Sequence, residues 1–163
     1  MSSIRFIADG MLGSLARKLR MFGFDTLYYN DIDDDKLIEI GKQQERILLT
    51  CDKMLFQRAV NAGICSVLLD GSSDADDMAH VLKSNRIYSV EFLPEKSRCP
   101  LCNGALDVCD KSSVNKLIPE KVVSMHEKFY LCKQCNKVYW EGSHLKKLQQ
   151  FGLDVQRRLN DAS

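Results

Sequence analysis

The chain has 163 residues, 45% of them hydrophobic and 28% charged, with 23 Lys plus Arg against 22 Asp plus Glu. That composition excludes the disordered and collagen-like classes, and no apolar run approaches the roughly 18 residues of a membrane span. Residues 1–93 carry 11 basic and 14 acidic side chains and residues 94–163 carry 12 and 8, so a net of −3 is followed by a net of +4, as if a phosphate backbone met its cations mainly in the second segment.

Arg5 and Asp9 interrupt the opening run before a signal-peptide core can form, which points to a cytoplasmic, reducing compartment for the seven cysteines. Arg5–Ala8 is a short strand ending at Asp9-Gly10. Met11 to Phe22 then places Leu12, Leu15, Ala16, Leu19 and Phe22 at helical spacing, with Arg17, Lys18 and Arg20 largely on the other side, as a solvated face or as guides for an RNA strand. Gly23 stops this helix, Asp25 begins on the surface, and Thr26 to Tyr29 continue as a β-branched and aromatic strand. Asn30 to Asp35 makes a turn and helix start, and the helix runs to about Glu45. Ile47–Thr50 is a buried strand ending at Cys51-Asp52. Met54 to Ala62 is a helix closed by Gly63, Ile64 to Leu69 is a further buried strand containing Cys65, and Asp74 to Lys83 is a fourth helix. Strands alternating with helices predict βαβ units and a mainly parallel sheet flanked by helices. After residue 93 the pattern changes to short segments with paired cysteines, with no helical period until Ser143 to Leu159. The expected organisation is an α/β domain over 1–93 and a small unit with a C-terminal helix over 94–163.

Cys99-Pro100-Leu101-Cys102 and Cys132-Lys133-Gln134-Cys135 are two C-x-x-C pairs. Thiolates in two such turns can all reach one Zn2+ at about 2.3 Å and fill its four positions, leaving none for substrate, so the metal is expected to be structural. It would stand in for a hydrophobic core that this short segment cannot build. Disulfides and a redox C-x-x-C are the alternatives; the compartment disfavours the first, and the second needs only one pair. Cys65 and Cys109 read as ordinary small residues. Cys51 lacks any histidine in the first 79 residues to act as its base.

In an open parallel sheet, ligands bind beyond the carboxyl ends of the strands. Asp9, Asp52 and Asp70 each follow a predicted strand, and Asp31, Asp33, Asp34 and Asp35 lie in the loop after another. Carboxylates brought together repel unless a proton or a hard cation neutralises them, and Mg2+ or Mn2+ suits oxygen ligands and phosphodiester hydrolysis. The same acids have structural uses: Asp33 suits a helix N-cap, Asp34 and Asp35 suit its first turn, and Asp70-Gly71 is a turn signal.

Phe6-Ile7-Ala8-Asp9-Gly10-Met11-Leu12-Gly13-Ser14-Leu15-Ala16-Arg17-Lys18-Leu19-Arg20 resembles the opening signature of the Mut-seven-C RNase domain family, and Leu48-Leu49-Thr50-Cys51-Asp52 resembles its second acidic motif. Ser97 to Asn103 and His126 to His144 resemble its zinc-ribbon half, so the likeness runs from about Arg5 to Leu148. The resemblance implies a PIN-like nuclease fold joined to a zinc ribbon, with metal-dependent ribonuclease activity. It maps Asp9 and Asp52 onto metal-binding positions, with Asp33 or Asp34 as a third. Cys51 stands where the family pattern leads us to expect a basic residue, and Asp70 has no counterpart.

Lys128, Lys133, Lys137, Lys146 and Lys147 can neutralise RNA phosphates. Phe129, Tyr130, Tyr139 and Trp140 offer stacking surfaces, or Phe129, Tyr139 and Trp140 form the small core of the ribbon. His126 and His144 are spare zinc ligands; His144 could instead cap the final helix or touch phosphate. The leading expectation is a ribonuclease using Asp9, Asp52 and one of Asp31, Asp33 or Asp34. Its rival is a non-catalytic RNA-binding module that presents RNA to a partner nuclease, and a zinc-dependent adaptor stands third. A homodimer is compatible with either of the first two.

Overall fold

The computed structural model describes residues 3–161. Met1, Ser2, Ala162 and Ser163, the outermost residues of the two expected units, lie outside the described residues. Four short strands, β1 (Arg5–Ala8), β2 (Asp25–Tyr28), β3 (Ile47–Thr50) and β4 (Ser66–Leu68), form a sheet in the order β2-β1-β3-β4. Every pairing is parallel, with Phe6 opposite Thr26 and Ile47, and Leu49 opposite Val67. The connections are α1 (Gly13–Met21, preceded by a 3-10 turn at Gly10–Leu12), α2 (Asp34–Gln43) and α3 (Lys53–Asn61), with α4 (Asp74–Ser84) following β4.

Because strand side chains alternate between faces, each apolar strand feeds two cores. Phe6, Ala8, Leu49 and Val67 point into one, with Leu15, Leu19, Met78 and Leu82 from α1 and α4. Ile7 and Leu48 point into the other, against Leu37, Leu55 and Ala59 from α2 and α3. The sheet is therefore covered on both faces, as its unbroken apolar strands require.

Cys65 corrects the sequence reading: it is exposed. Its carbonyl accepts from the Leu48 amide of β3 at 3.0 Å, and its side chain stands at the start of the edge strand β4. Arg20 and Asp25 are corrections too. Arg20 is 5% exposed, and the Asp25 carboxylate accepts from the Arg46 guanidinium at 2.7 Å. Both face the cysteine-bearing unit, whose approach a local pattern cannot register.

That unit carries a second sheet, β5 (Leu106–Cys109), β6 (Phe129–Cys132) and β7 (Val138–Trp140), antiparallel throughout. Two short helices, α5 (Lys111–Val114) and α6 (Glu120–Met125), lie between β5 and β6, where no helical period was expected. Each is too short to show a period, and α5 begins instead on a local signal, the Asp110 side chain accepting from the Ser113 amide at 3.2 Å. Cys99, Leu106, Tyr130 and Cys132 form one small core, and Val114, Phe129 and Val138 another. Trp140 stays outside both, at 37% exposure.

The last helix, α7 (Ser143–Asn160), leaves this sheet and packs on α4. Val155 and Leu159 join the same core as Phe6. Phe22 packs on Phe92 and Phe151 with ring centroids 5.5 and 5.8 Å away. Gly152 makes this possible, since a Cβ there would lie 3.0 Å from the Phe22 ring.

Candidate metal centre and acidic edge

The four cysteine sulfurs of the two C-x-x-C pairs lie within 4.8 Å of one another. Cys99 Sγ is 3.7 Å from Cys135 Sγ, and Cys102 Sγ is 3.4 Å from Cys132 Sγ. Thiolates about 2.3 Å from a tetrahedral ion stand roughly 3.8 Å apart, so the set fits a zinc ion. The two turns are built alike. In each, the asparagine after the second cysteine, Asn103 or Asn136, adopts a left-handed conformation with φ of 67° or 63°. Its amide then donates to the carbonyl of the first cysteine, at 2.8 Å in one turn and 2.7 Å in the other. Asparagine tolerates that conformation better than most residues.

Burial opposes ionisation of Cys99, but the Tyr139 hydroxyl, 3.2 Å from its sulfur, and the Cys102 and Leu101 amides outweigh it and bring the thiol down to about 7. Cys102 is pushed up to about 12 by burial and by the neighbouring thiols, against the pull of the Gly104 amide. A cluster in which one thiol ionises readily and the next resists is the charge state that a dication resolves.

This centre is fastened to the edge of the parallel sheet. The buried Arg20 donates from Nε to the Thr26 carbonyl at 2.8 Å and from Nη1 to the Pro100 carbonyl of the first cysteine turn at 2.8 Å. Asn103 accepts from the Thr26 amide at 3.0 Å and donates to Asp25 at 2.7 Å.

The second group of candidate residues lies at the carboxyl ends of the parallel strands. Asp9 follows β1; its Oδ1 accepts from the Gly10 amide at 2.6 Å and its Oδ2 from the Thr50 hydroxyl at 2.9 Å. The same Thr50 oxygen accepts from the Asp52 amide at 3.0 Å. Asp52 caps α3, its Oδ1 accepting from the Met54 and Leu55 amides at 2.8 and 3.2 Å. Asp9 and Asp52 thus leave adjacent strands and are joined through one buried threonine. Close by, the Tyr28 hydroxyl donates to the Gly10 carbonyl at 2.9 Å, and Gly13 provides the clearance, since a Cβ there would lie 2.8 Å from that hydroxyl.

Asp70 is exposed in a turn, accepting from the Ser72 amide at 2.9 Å, a bond that holds its carboxyl below the usual range. Cys51 connects the two loops. Its sulfur lies 3.5 Å from where a Gly71 Cβ would be, and burial and then the charges of Asp77, Asp9 and Asp70 push its thiol up. Asp77, on α4, escaped sequence analysis. It is 4% exposed, its Oδ1 accepts from the Gly71 amide at 3.3 Å, and burial together with Asp70, Asp74 and Asp76 pushes its carboxyl up. The available signal was a carboxylate on the helix stripe it shares with Met78 and Val81, a costly position for a charge without a task.

The remaining predicted acids lie apart. Asp33 is exposed at the N-cap position of α2 with no side-chain cap bond, Asp34 pairs with Arg58 of α3 at 3.2 Å, and Arg58 also pairs with Asp35. Asp33, Asp34 and Asp35 line a depression with Ile32, Lys36 and Glu39 that includes neither Asp9 nor Asp52. Asp9, Asp52, Asp70 and Asp77 make no ion pair among the described residues, whereas Asp74 is paired with Lys18 and Asp76 with Arg158. Among the described residues, no three carboxylates bring their oxygens as close together as the cysteine sulfurs.

The lysines are scattered. Lys133 is paired with Asp107 at 3.0 Å and Lys128 sits over the Tyr130 ring, 5.7 Å from its centroid. Lys137 and Lys147 border one cleft between α1 and α7, and Lys146 is exposed away from it. No helix of the described residues is long and apolar enough to cross a membrane.

The description Mut7-C RNAse domain matches residues 4–151. The protein described as Exonuclease mut-7 homolog, from Homo sapiens, is 32% identical over 104 residues; the match covers 62% of this chain and 12% of that protein. No solved structure matches the chain.

Proposed function

The chain belongs to the Mut7-C RNAse domain family, and from that premise we propose that it is a metal-dependent ribonuclease of the cytoplasm. On this reading the α/β unit is PIN-like, with Asp9 and Asp52 holding Mg2+ or Mn2+. Cys99, Cys102, Cys132 and Cys135 hold a structural zinc. The single observation that carries the reading is the pairing of Asp9 and Asp52 at the ends of adjacent parallel strands, joined by Thr50 and left without cations. A divalent ion bound there would supply activation of water and charge neutralisation at the phosphodiester.

The residues of the chain have separate tasks. Thr50 and the Gly10 amide fix both oxygens of Asp9, so that the carboxylate is oriented before any ligand arrives. The amides at the start of α3 occupy Oδ1 of Asp52 and leave Oδ2 free. Cys51 does not serve as a nucleophile, because burial and the surrounding carboxylates keep its thiol protonated. The basic second unit holds the strand.

One observation favours a second reading, an RNA-binding module that presents its strand to a partner nuclease: the carboxylates do not converge as the cysteines do. Cleavage of labelled single-stranded and hairpin RNAs in Mg2+, in Mn2+ or with neither added separates the two. Turnover that needs the added ion and is lost in Asp9→Asn and Asp52→Asn supports the nuclease, and binding without turnover in either metal overturns it.

A further inference from the structure

A cleft of about 570 Å³ runs between α1, α7 and the first cysteine turn. Its two walls are helix faces. From α1 come Ser14, Arg17, Lys18 and Met21, and from α7 come His144, Lys147, Leu148 and Phe151, each set at the i, i+3, i+4, i+7 spacing of one helical stripe. Lys137 and Tyr139 of the cysteine-bearing unit close the end. Every charged residue on this surface is basic, in a chain whose net charge is only +1.

The cations are not equivalent. Lys18 is already engaged, paired with Asp74 and lying over the Phe151 ring 5.1 Å from its centroid, where it ties the two walls together. Arg17, Lys137 and Lys147 are exposed and make no ion pair among the described residues. Below this basic rim the surface is apolar, from Met21, Leu148 and Phe151. A charged rim over an apolar floor matches a strand that shows phosphates on one side and unstacked base faces on the other, which a duplex does not do.

We propose that this cleft is the binding path for single-stranded RNA, with Arg17, Lys137 and Lys147 on its phosphates. The proposal deepens the ribonuclease reading and takes only the choice of ligand from it. The α1 end of the cleft points toward the acidic edge: Ser14 donates to Asp74 there, and the Gly10–Leu12 turn separates α1 from Asp9. The cleft also depends on the metal centre, because the Lys137 carbonyl accepts from the Cys132 amide at 2.9 Å and the Tyr139 hydroxyl lies against Cys99. Lys128 and Lys133, which sequence alone gives equal weight, are turned to Tyr130 and Asp107 and lie off the path.

The test is fluorescence anisotropy on the zinc-loaded full chain, with magnesium and manganese omitted so that nothing is cleaved. The probes are a short labelled oligouridylate, the deoxy strand of matching length and a duplex RNA. The combined Arg17→Ala, Lys137→Ala, Lys147→Ala variant is expected to bind the oligouridylate about tenfold or more weaker, with the slope of log affinity against log salt reduced by about 2. A matched variant, Lys42→Ala, Lys116→Ala, Lys121→Ala, removes equal charge elsewhere and is expected to change affinity less than about twofold. Loss on the RNA strand, alone or shared with the deoxy strand, supports the proposal. Unchanged RNA affinity, equal loss in the matched variant, or a preference for duplex overturns it. Conservative Arg17→Lys, which restores charge without the fork, should recover most of the affinity. Failure of turnover with binding intact would sink the ribonuclease reading and leave the cleft standing.

Discussion

The Asn103 side chain accepts from the Thr26 amide at 3.0 Å, so a residue of the first cysteine turn fills a hydrogen-bonding position on the open edge of β2. Thr26 is fully buried, and without Asn103 its amide would have neither water nor a strand for a partner. Asn103→Ala is therefore expected to destabilise by about 2 kcal/mol, lowering Tm by roughly 4–8 °C by differential scanning calorimetry. A Tm within a degree of the parent would show that the edge is satisfied some other way.

Arg20 should be less forgiving. Its guanidinium spans two carbonyls, Thr26 and Pro100, and a lysine ammonium cannot reach both in the same geometry. Arg20→Lys is expected to lose about 2–4 kcal/mol in urea titration, with only modest additivity when combined with Asn103→Ala because both act on Thr26. Full additivity would mean that the two contacts are independent.

Asp77 and Asp25 bias stability toward opposite ends of the pH scale. For Asp77 the folded-state pKa is raised, so its contribution is most favourable below the ordinary carboxylate range and is lost as pH rises through the raised value. Asp77→Asn is thus expected to be more stable than the parent at pH 8, by about 1 kcal/mol, with the gain vanishing near pH 4.

For Asp25 burial works to raise the pKa, but the Arg46 and Asn103 hydrogen bonds outweigh it and the carboxyl lies below its usual value. Its contribution is present above the ordinary carboxylate range and is lost as pH falls through the depressed value. The Asp25→Asn variant should lose stability at neutral pH and show a flatter acid limb in a Tm-against-pH series; an unchanged acid limb would place the titrating group elsewhere.

Removing zinc should unfasten more than the ion. The expected content is one zinc per chain by metal analysis, and Cys132→Ser or a strong chelator should cost several kcal/mol and expose Thr26 to amide exchange. Retained protection at Thr26 after metal loss would separate the docking contacts from the metal centre.

Asp52 has two tasks that one substitution can divide. Asn preserves a helix cap and Ala does not, so Asp52→Asn should lose turnover with near-native Tm, whereas Asp52→Ala should also lose about 1 kcal/mol. Equal turnover in Asp52→Asn and the parent would remove this carboxylate from the acidic set.

What could be read in advance was local. β1 is an apolar run stopped by Asp9 and β3 is one followed by Cys51-Asp52, and those signals located Asp9 and Asp52 at the ends of two strands before any pairing was known. The cysteine spacing carried its own geometry within each turn. Arg20 and Asp25 were misread because their partners lie about 80 positions away, and helical spacing reports which side chains share a face without saying what covers it. Asp77 is one of three aspartates over residues 74–77, broken only by Ala75, at the start of a predicted helix. Its stripe, shared with Met78 and Val81, was the local sign of its burial, and the loop after β4 adds the Gly71 amide, a contact the helix pattern does not show.

The return of α7 has a consequence for the order of events as the chain is made. Val155 and Leu159 share a core with Phe6 and Leu15, so the layer begun by the earliest strand lacks a wall until the last helix has been synthesised. A nascent chain reaching only to Gly142 would lack Phe151, Val155 and Leu159 on this core and leave Phe22 without its Phe151 partner, a sticky intermediate of the kind that chaperones hold. Once closed, the early and late segments depend on one another, and the molecule should melt in one transition although its sequence reads as two parts.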